Sequence, residues 1–216
     1  MATHSKTDTT RMKYIFVAGA PGSKWSSVVK NIYWSADLDH TDYSEKRTYY
    51  HDASGRMDLM HLGVYFDPGM EFALPENLSA LTKQQLENIF DQPFTGTGTR
   101  IIKSHLFSEY IDFLKATWPE VPIVTVDRSD DACLGWWVKC GHFDITYPDY
   151  RTYFQDLRTM AEIIKRQNAA IRLACREYPG QTPETNLQLA RMLGIKIPTR
   201  EYRQNYAESD IKVTVI

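Results

Sequence analysis

The stretch KYIFVAGAPGSKWSSVVKNIYW, residues 13–34, limits the possible folds more than any other part of the chain. Its apolar run KYIFVAG is short and stopped by glycine, the pattern of a buried strand. Past the loop, Trp25, Val28, Val29, Ile32 and Tyr33 recur at helical spacing. Strand, tight loop and helix in that order open a βα unit. Two more runs repeat the arrangement: RIIKSH, residues 100–105, and VPIVTVD, residues 121–127. Ser108 is expected to cap a helix reaching Ala116, and Ser129 with Asp130 and Asp131 makes a good N-terminus for DDACLGWWVKCGHF. Thr82 with Gln85 offers a capping box for LTKQQLENIF. The alternation predicts an α/β fold, a three-layer sandwich with a parallel central sheet and helices on both faces. Ligands of such sheets bind at the carboxyl ends of the strands. Those ends are residues 19–27, 103–105 and 127–128.

The rest of the chain gives weaker signals. Residues 37–77, with many Asp, His, Tyr and Met, read as an irregular insertion. Residues 149–178 read as a helix with Phe154, Leu157, Met160, Ile164, Ile171 and Leu173 near one face, and Thr182 before Pro183 as the start of another that Gly194 stops. Residues 198–216 form a tail in which IKVTVI is either an edge strand or a loose end. At 216 residues the chain suits a single domain spanning 1–216. With 25 Lys+Arg against 27 Asp+Glu it has no general attraction to nucleic acid or an anionic membrane, so an anion must be held by local groups. The polar start and the lack of a long apolar run predict a soluble, cytoplasmic protein without a membrane partner. Cys133, Cys140 and Cys175 form no CxxC pair and suit free thiols in a reducing compartment.

The loop GAPGSKWSS has what an anion cradle needs: glycines that let backbone approach, hydroxyls at Ser23, Ser26 and Ser27, Lys24, and a helix N-terminus behind them. Its plain alternative is a turn whose serines cap the helix. Counted from Gly19, it fails the Walker A spacing. His105 sits at a predicted strand end beside this loop, and Lys103 would share its side if the strand ran straight. An imidazole titrates near neutrality and can take a proton from a hydroxyl. His40, His51, His61 and His142 read as packed or surface residues. Trp25, Trp136 and Trp137 suit either ring stacking or core packing, and the aromatic segment HLGVYFDPGMEF suits an acceptor pocket as well as a small core.

TRIIKSHL, followed by VPIVTVDRSDDACLGWW, resembles the cytosolic sulfotransferases, in which a K-[TS]-H-L segment precedes a strand ending in Arg and then a helix. Pro21, Ser23, Ser26 and Ser27 fall on that family's P-x-S-x-x-[TS] loop. The resemblance implies a P-loop-containing nucleotide-binding fold of sulfotransferase type and a sulfotransferase using 3′-phosphoadenosine 5′-phosphosulfate (PAPS) without a metal. It implies that Pro21, Gly22, Ser23, Lys24, Trp25, Ser26 and Ser27 hold the 5′-phosphosulfate and Arg128 the 3′-phosphate. His105 would be the base for a small-molecule or saccharide hydroxyl, Lys24 would neutralise the leaving oxygen, and Lys103 would join them as a catalytic residue. The chain departs from the family in carrying Gly22 where a lysine is usual and Gly135 or Trp136 where a serine shares the 3′-phosphate. It also lacks the C-terminal R-K-G-x-x-G loop, for which Arg200 and Arg203 are the nearest charges. Two rival readings stand beside it. IVTVD resembles a Walker B strand, so Asp127 and Ser26 would hold magnesium in a nucleotide kinase or NTPase. A non-catalytic binding protein on the same fold is the other.

Overall fold

A computed structural model describes residues 12–42, 62–139, 156–198 and 206–216. Strand β1 (Tyr14–Gly19) is an inner strand with every residue buried. It pairs in parallel with β2 (Arg100–Ser104) on one side and with β3 (Ile123–Arg128) on the other. The fourth strand, β4 (Ile211–Val215), runs antiparallel along β3 and gives the order β2-β1-β3-β4. The fold is thus α/β with an open, mostly parallel sheet. The expectation of a wholly parallel sheet fails at β4, which enters beside the carboxyl end of β3, with Ile211 opposite Arg128. IKVTVI is an edge strand, and the tail reading of that segment is corrected: Ile211 and Val213 are buried while Lys212 faces out.

Side-chain alternation along β1 divides the core. Ile15 and Val17 join one cluster, and Tyr14, Phe16 and Ala18 the other. Helices α1 (Trp25–Tyr33), α4 (Asp130–Lys139) and α6 (Asn186–Met192) bury Val28, Val29, Ile32, Cys133, Trp137, Leu189 and Ala190 in the first. Helices α2 (Lys83–Asp91) and α3 (Ile111–Thr117) bury Leu86, Phe90, Ile111 and Leu114 in the second. Helix α5 (Leu157–Glu177) serves both, with Met160, Ile163 and Ile164 in the first and Ile171 and Ala174 in the second. Leu157 and Leu173 are exposed, so the predicted face is rotated; Phe154 lies outside the described residues.

Several helix starts follow their sequence signals. Thr82 and Gln85 form the reciprocal capping box of α2, and Ser129 Oγ accepts from Ala132 N at 3.3 Å at the start of α4. Ser108 caps nothing: it is buried within a 3₁₀ turn, Leu106–Glu109, and α3 begins only at Ile111. Helix α6 is capped by Thr185, not Thr182, and ends before Gly194 at φ 63°. The described parts of the insertion, residues 37–42 and 62–77, contain no helix or regular strand. They are nonetheless core, since Leu62, Val64, Tyr65, Phe66 and Met70 are all buried. Cys133 and Cys175 are free thiols; Cys140, like His51, His61, His142, Arg200 and Arg203, lies outside the described residues. Among the described residues no helix is long and apolar enough to cross a membrane.

Gly135 sits inside α4 with open space where a Cβ would project. Replacing it by alanine removes backbone freedom from the unfolded chain without a clash. Gly135→Ala should therefore stabilise the protein by about 0.5–1 kcal/mol, read as a rise of a few degrees in thermal melting.

Candidate functional site

The loop after β1 is held in an uncommon backbone shape. Gly22 has φ 77°, and Lys24, at φ 64°, is the non-glycine residue with a positive φ among those described. Lys24 is also the N-cap of α1 and gives it no side-chain cap, and no acidic residue sits in the first turn. Helices α2, α4, α5 and α6, by contrast, each begin on a hydroxyl or carboxylate oxygen from Thr82, Ser129, Asp156 or Thr185. The positive end of α1 thus has neither a side-chain cap nor an acidic residue, whereas α3, also without a side-chain cap, has Asp112 in its first turn. Inside the loop, Ser23 is fully buried, and its Oγ has no hydrogen-bond partner. A Cβ on Gly19 would lie 2.6 Å from that oxygen, so the hydroxyl points back over Gly19. Pro21 and Ser26 are buried and Ser27 half-buried, with Ser27 N bonded to Lys24 O at 2.9 Å.

His105 reaches the same loop from β2. The strand stops at Ser104, and His105 takes helical angles, φ −65° and ψ −34°. Its Nδ1 meets the carbonyl of Gly19. A carbonyl only accepts, so Nδ1 carries the proton and Nε2 keeps its lone pair. Trp25 lies across the ring at a centroid separation of 4.5 Å, and Tyr65 meets it edge-on at 5.2 Å. Burial lowers the imidazole pKa below its ordinary value, against a smaller opposing pull from Asp67 and the Gly19 carbonyl. The ring is therefore neutral at neutral pH.

Asp67, which the sequence reading passed over, organises this corner. Its fully buried carboxylate accepts from Ser104 Oγ at 2.6 Å and from the backbone N–H groups of His105 and Leu106 at 3.3 Å. Burial pushes its pKa up, while the His105 ring and bonds from Ser104, Tyr65 and Leu106 pull it back. In sequence it sits in FDPG, which reads as a turn and nothing more.

Lys103 and His105 turn to the same side of the sheet, that of Ile101, Trp25, Leu62 and Tyr65, but the buried ammonium of Lys103 donates to the carbonyl of Leu62. Burial brings its pKa down to about 8 against the attraction of Asp42. Its role there is to satisfy a buried carbonyl.

Arg128 does reach the loop: its Nη1 donates to Gly22 O at 2.8 Å. Its Nε, at 2.7 Å, and Nη2, at 2.5 Å, are both on Asp210 Oδ2. Lys24 Nζ donates to the other oxygen of Asp210 at 2.9 Å. Both cations hold the Asp210 carboxyl below its ordinary range despite some burial. The indole of Trp136 lies within 5.2 Å of Lys24 Nζ and 5.8 Å of the Arg128 and Lys139 charges. Trp137 and Trp25 are buried core residues, and His40 Nε2 is held by Tyr33 O at 2.6 Å.

Asp127 points away from all this. Neighbours in a strand face opposite sides, and with Arg128 turned to the loop, Asp127 pairs with Arg172 of α5 through contacts of 2.9 to 3.1 Å. The residues that meet at the carboxyl edge are Gly19, Gly22, Ser23, Lys24, Trp25, His105, Arg128 and Asp210. Compared with known proteins, the chain matches no family model, no curated protein and no solved structure.

Proposed function

We propose that this chain is a sulfotransferase of P-loop type, moving a sulfuryl group from PAPS to a small-molecule or saccharide hydroxyl in the cytoplasm. The observation that carries the reading is the bond between His105 Nδ1 and the Gly19 carbonyl. It fixes a neutral imidazole, with Nε2 free to accept, against the loop that offers a buried Ser23 hydroxyl and an uncapped helix terminus. The residues present fit an oxyanion, because Ser23 Oγ lacks a partner and the same loop carries Lys24 and meets Arg128 at Gly22.

PAPS, when bound, supplies the activated sulfuryl group. The loop residues Pro21, Gly22, Ser23, Trp25, Ser26 and Ser27 would hold its phosphosulfate end and Arg128 its 3′-phosphate. Nε2 of His105 takes the acceptor hydroxyl proton as the new S–O bond forms and the S–O bond to the phosphate breaks. Lys24 offsets the negative charge left on that phosphate oxygen. Alignment and fixed charge account for the rate in such transfers.

Calorimetry with adenosine 3′,5′-bisphosphate tests the assignment. Wild-type protein should bind it, and Arg128→Ala should weaken binding by roughly tenfold to a hundredfold, the worth of charge-assisted hydrogen bonds. No binding by the wild type at millimolar ligand removes the reading. For the kinase or NTPase alternative no observation speaks, since Asp127 is paired with Arg172. The non-catalytic alternative has one in its favour: Asp210 neutralises both loop cations. Product formation from PAPS with an identified acceptor would exclude it.

A further inference from the structure

Asp210 is the one carboxylate, among the described residues, that Lys24 and Arg128 share. It precedes β4, whose register on β3 fixes its place opposite the end of the arginine strand. Upstream, Tyr206 is buried and its N–H bonds to Glu184 O at 2.8 Å, so the turn is anchored at both ends. Between those anchors the Asp210 side chain is 46% exposed. What it occupies is specific: the Nε and Nη2 edge of Arg128 and the ammonium of Lys24. A fork of parallel N–H groups is the geometry with which an arginine grips a phosphate. A carboxylate there is an internal oxyanion in the place of an external one.

We propose that Asp210 sets the anion selectivity of the loop. A lone inorganic oxyanion has to displace the carboxylate with nothing else to hold it, and is kept out. A ligand with two anionic groups gains a second hold, one group on the Ser23 hydroxyl and the α1 terminus while the other takes the Arg128 fork from Asp210. The class admitted is a bis-anion such as a nucleoside bisphosphate, and the exposed Lys139 beside Trp136 adds charge on the outer side. The inference rests on the loop being an anion site, as the proposed function also requires, but not on the transfer of sulfate.

The test uses inorganic phosphate and adenosine 3′,5′-bisphosphate, titrated by calorimetry into wild-type protein, Asp210→Asn and Glu208→Gln. Glu208 is exposed in the same turn, so its variant removes an equal charge without freeing the cations. Asp210→Asn should bind phosphate about tenfold or more tightly than wild type, while the bisphosphate changes less and the preference for it shrinks. Glu208→Gln should change phosphate affinity by no more than about twofold, as expected of a screened surface charge. Equal gains from both variants would make the effect one of general charge and overturn the proposal. So would unchanged or weaker phosphate binding in Asp210→Asn at an unaltered melting temperature. Asp210→Ser gives the same reading if the amide perturbs the turn. Because phosphate reports the result, a protein that never transfers sulfate can still show it. Sulfate transfer by a protein whose phosphate affinity ignores Asp210 would sink this inference and leave the enzyme reading intact.

Discussion

His105→Gln is expected to lower kcat for sulfuryl transfer by about 10²- to 10⁴-fold, the usual worth of a positioned general base, while binding of adenosine 3′,5′-bisphosphate stays near wild type. Glutamine is the informative replacement. Its amide can still donate to the Gly19 carbonyl, and it roughly fills the space between Trp25 and Tyr65, but it has no nitrogen that titrates near neutrality. Alanine would add a cavity beside two aromatic rings and blur the result. The pH profile gives a second readout. Burial holds the imidazole pKa below its ordinary value, so the competent neutral form persists below the pH at which a free histidine is half protonated, about 6.5. The acid limb of kcat/KM should fall below that value, with the rate lost as pH drops through the lowered pKa. An acid limb above 6.5, or full turnover by the glutamine variant, would show that another group takes the proton.

Sequence pattern and structure agree where the signal is local. The first three strands, the box of Thr82 and Gln85 and the stop at Gly194 are set by residues within a turn or two of each other, and each is present. The strands converge as the alternation required, bringing His105 and Arg128 to the first loop. Disagreement begins where a long-range partner decides. β2 ends at Ser104, where Asp67, far away in sequence, gathers the N–H groups of His105 and Leu106. Leu157 and Leu173 look like core by period, yet α5 turns Gln167 and Asn168 inward; Asn168 Nδ2 donates to Arg128 O at 2.9 Å and to Asp130 at 2.8 Å. Asp210 gave no signal at all. A lone acidic residue in a polar stretch acquires meaning only once β4 is known to dock antiparallel beside Arg128.

Gly22→Ala should be the most destabilising small change in the loop, costing roughly 2–5 kcal/mol in urea or thermal unfolding, from about 1–2 for a side chain in the left-handed region and 1–3 for overpacking. Gly22 has φ 77°, and a Cβ there would lie 2.0 Å from the carbonyl oxygen of Cys133, which is helix backbone and cannot rotate away. Gly194 supplies the control. It has a similar φ of 63° but nothing within 4 Å of the added carbon, so Gly194→Ala should show the conformational part alone. Equal losses at the two positions would mean that α4 yields to the loop, and that the clash carries no cost. The same geometry keeps position 22 without a side chain, since a Cβ there meets the α4 backbone. The loop's charge comes from Lys24, which tolerates its own left-handed conformation and reaches Asp210, the carboxylate that Arg128 also holds. If the loop binds an anion, Gly22 is there to let the backbone pass under α4 and Lys24 to meet the ligand. Gly22→Ala should then weaken bisphosphate binding only as far as it unfolds or shifts the loop, whereas Lys24→Met should weaken binding in a protein of ordinary stability.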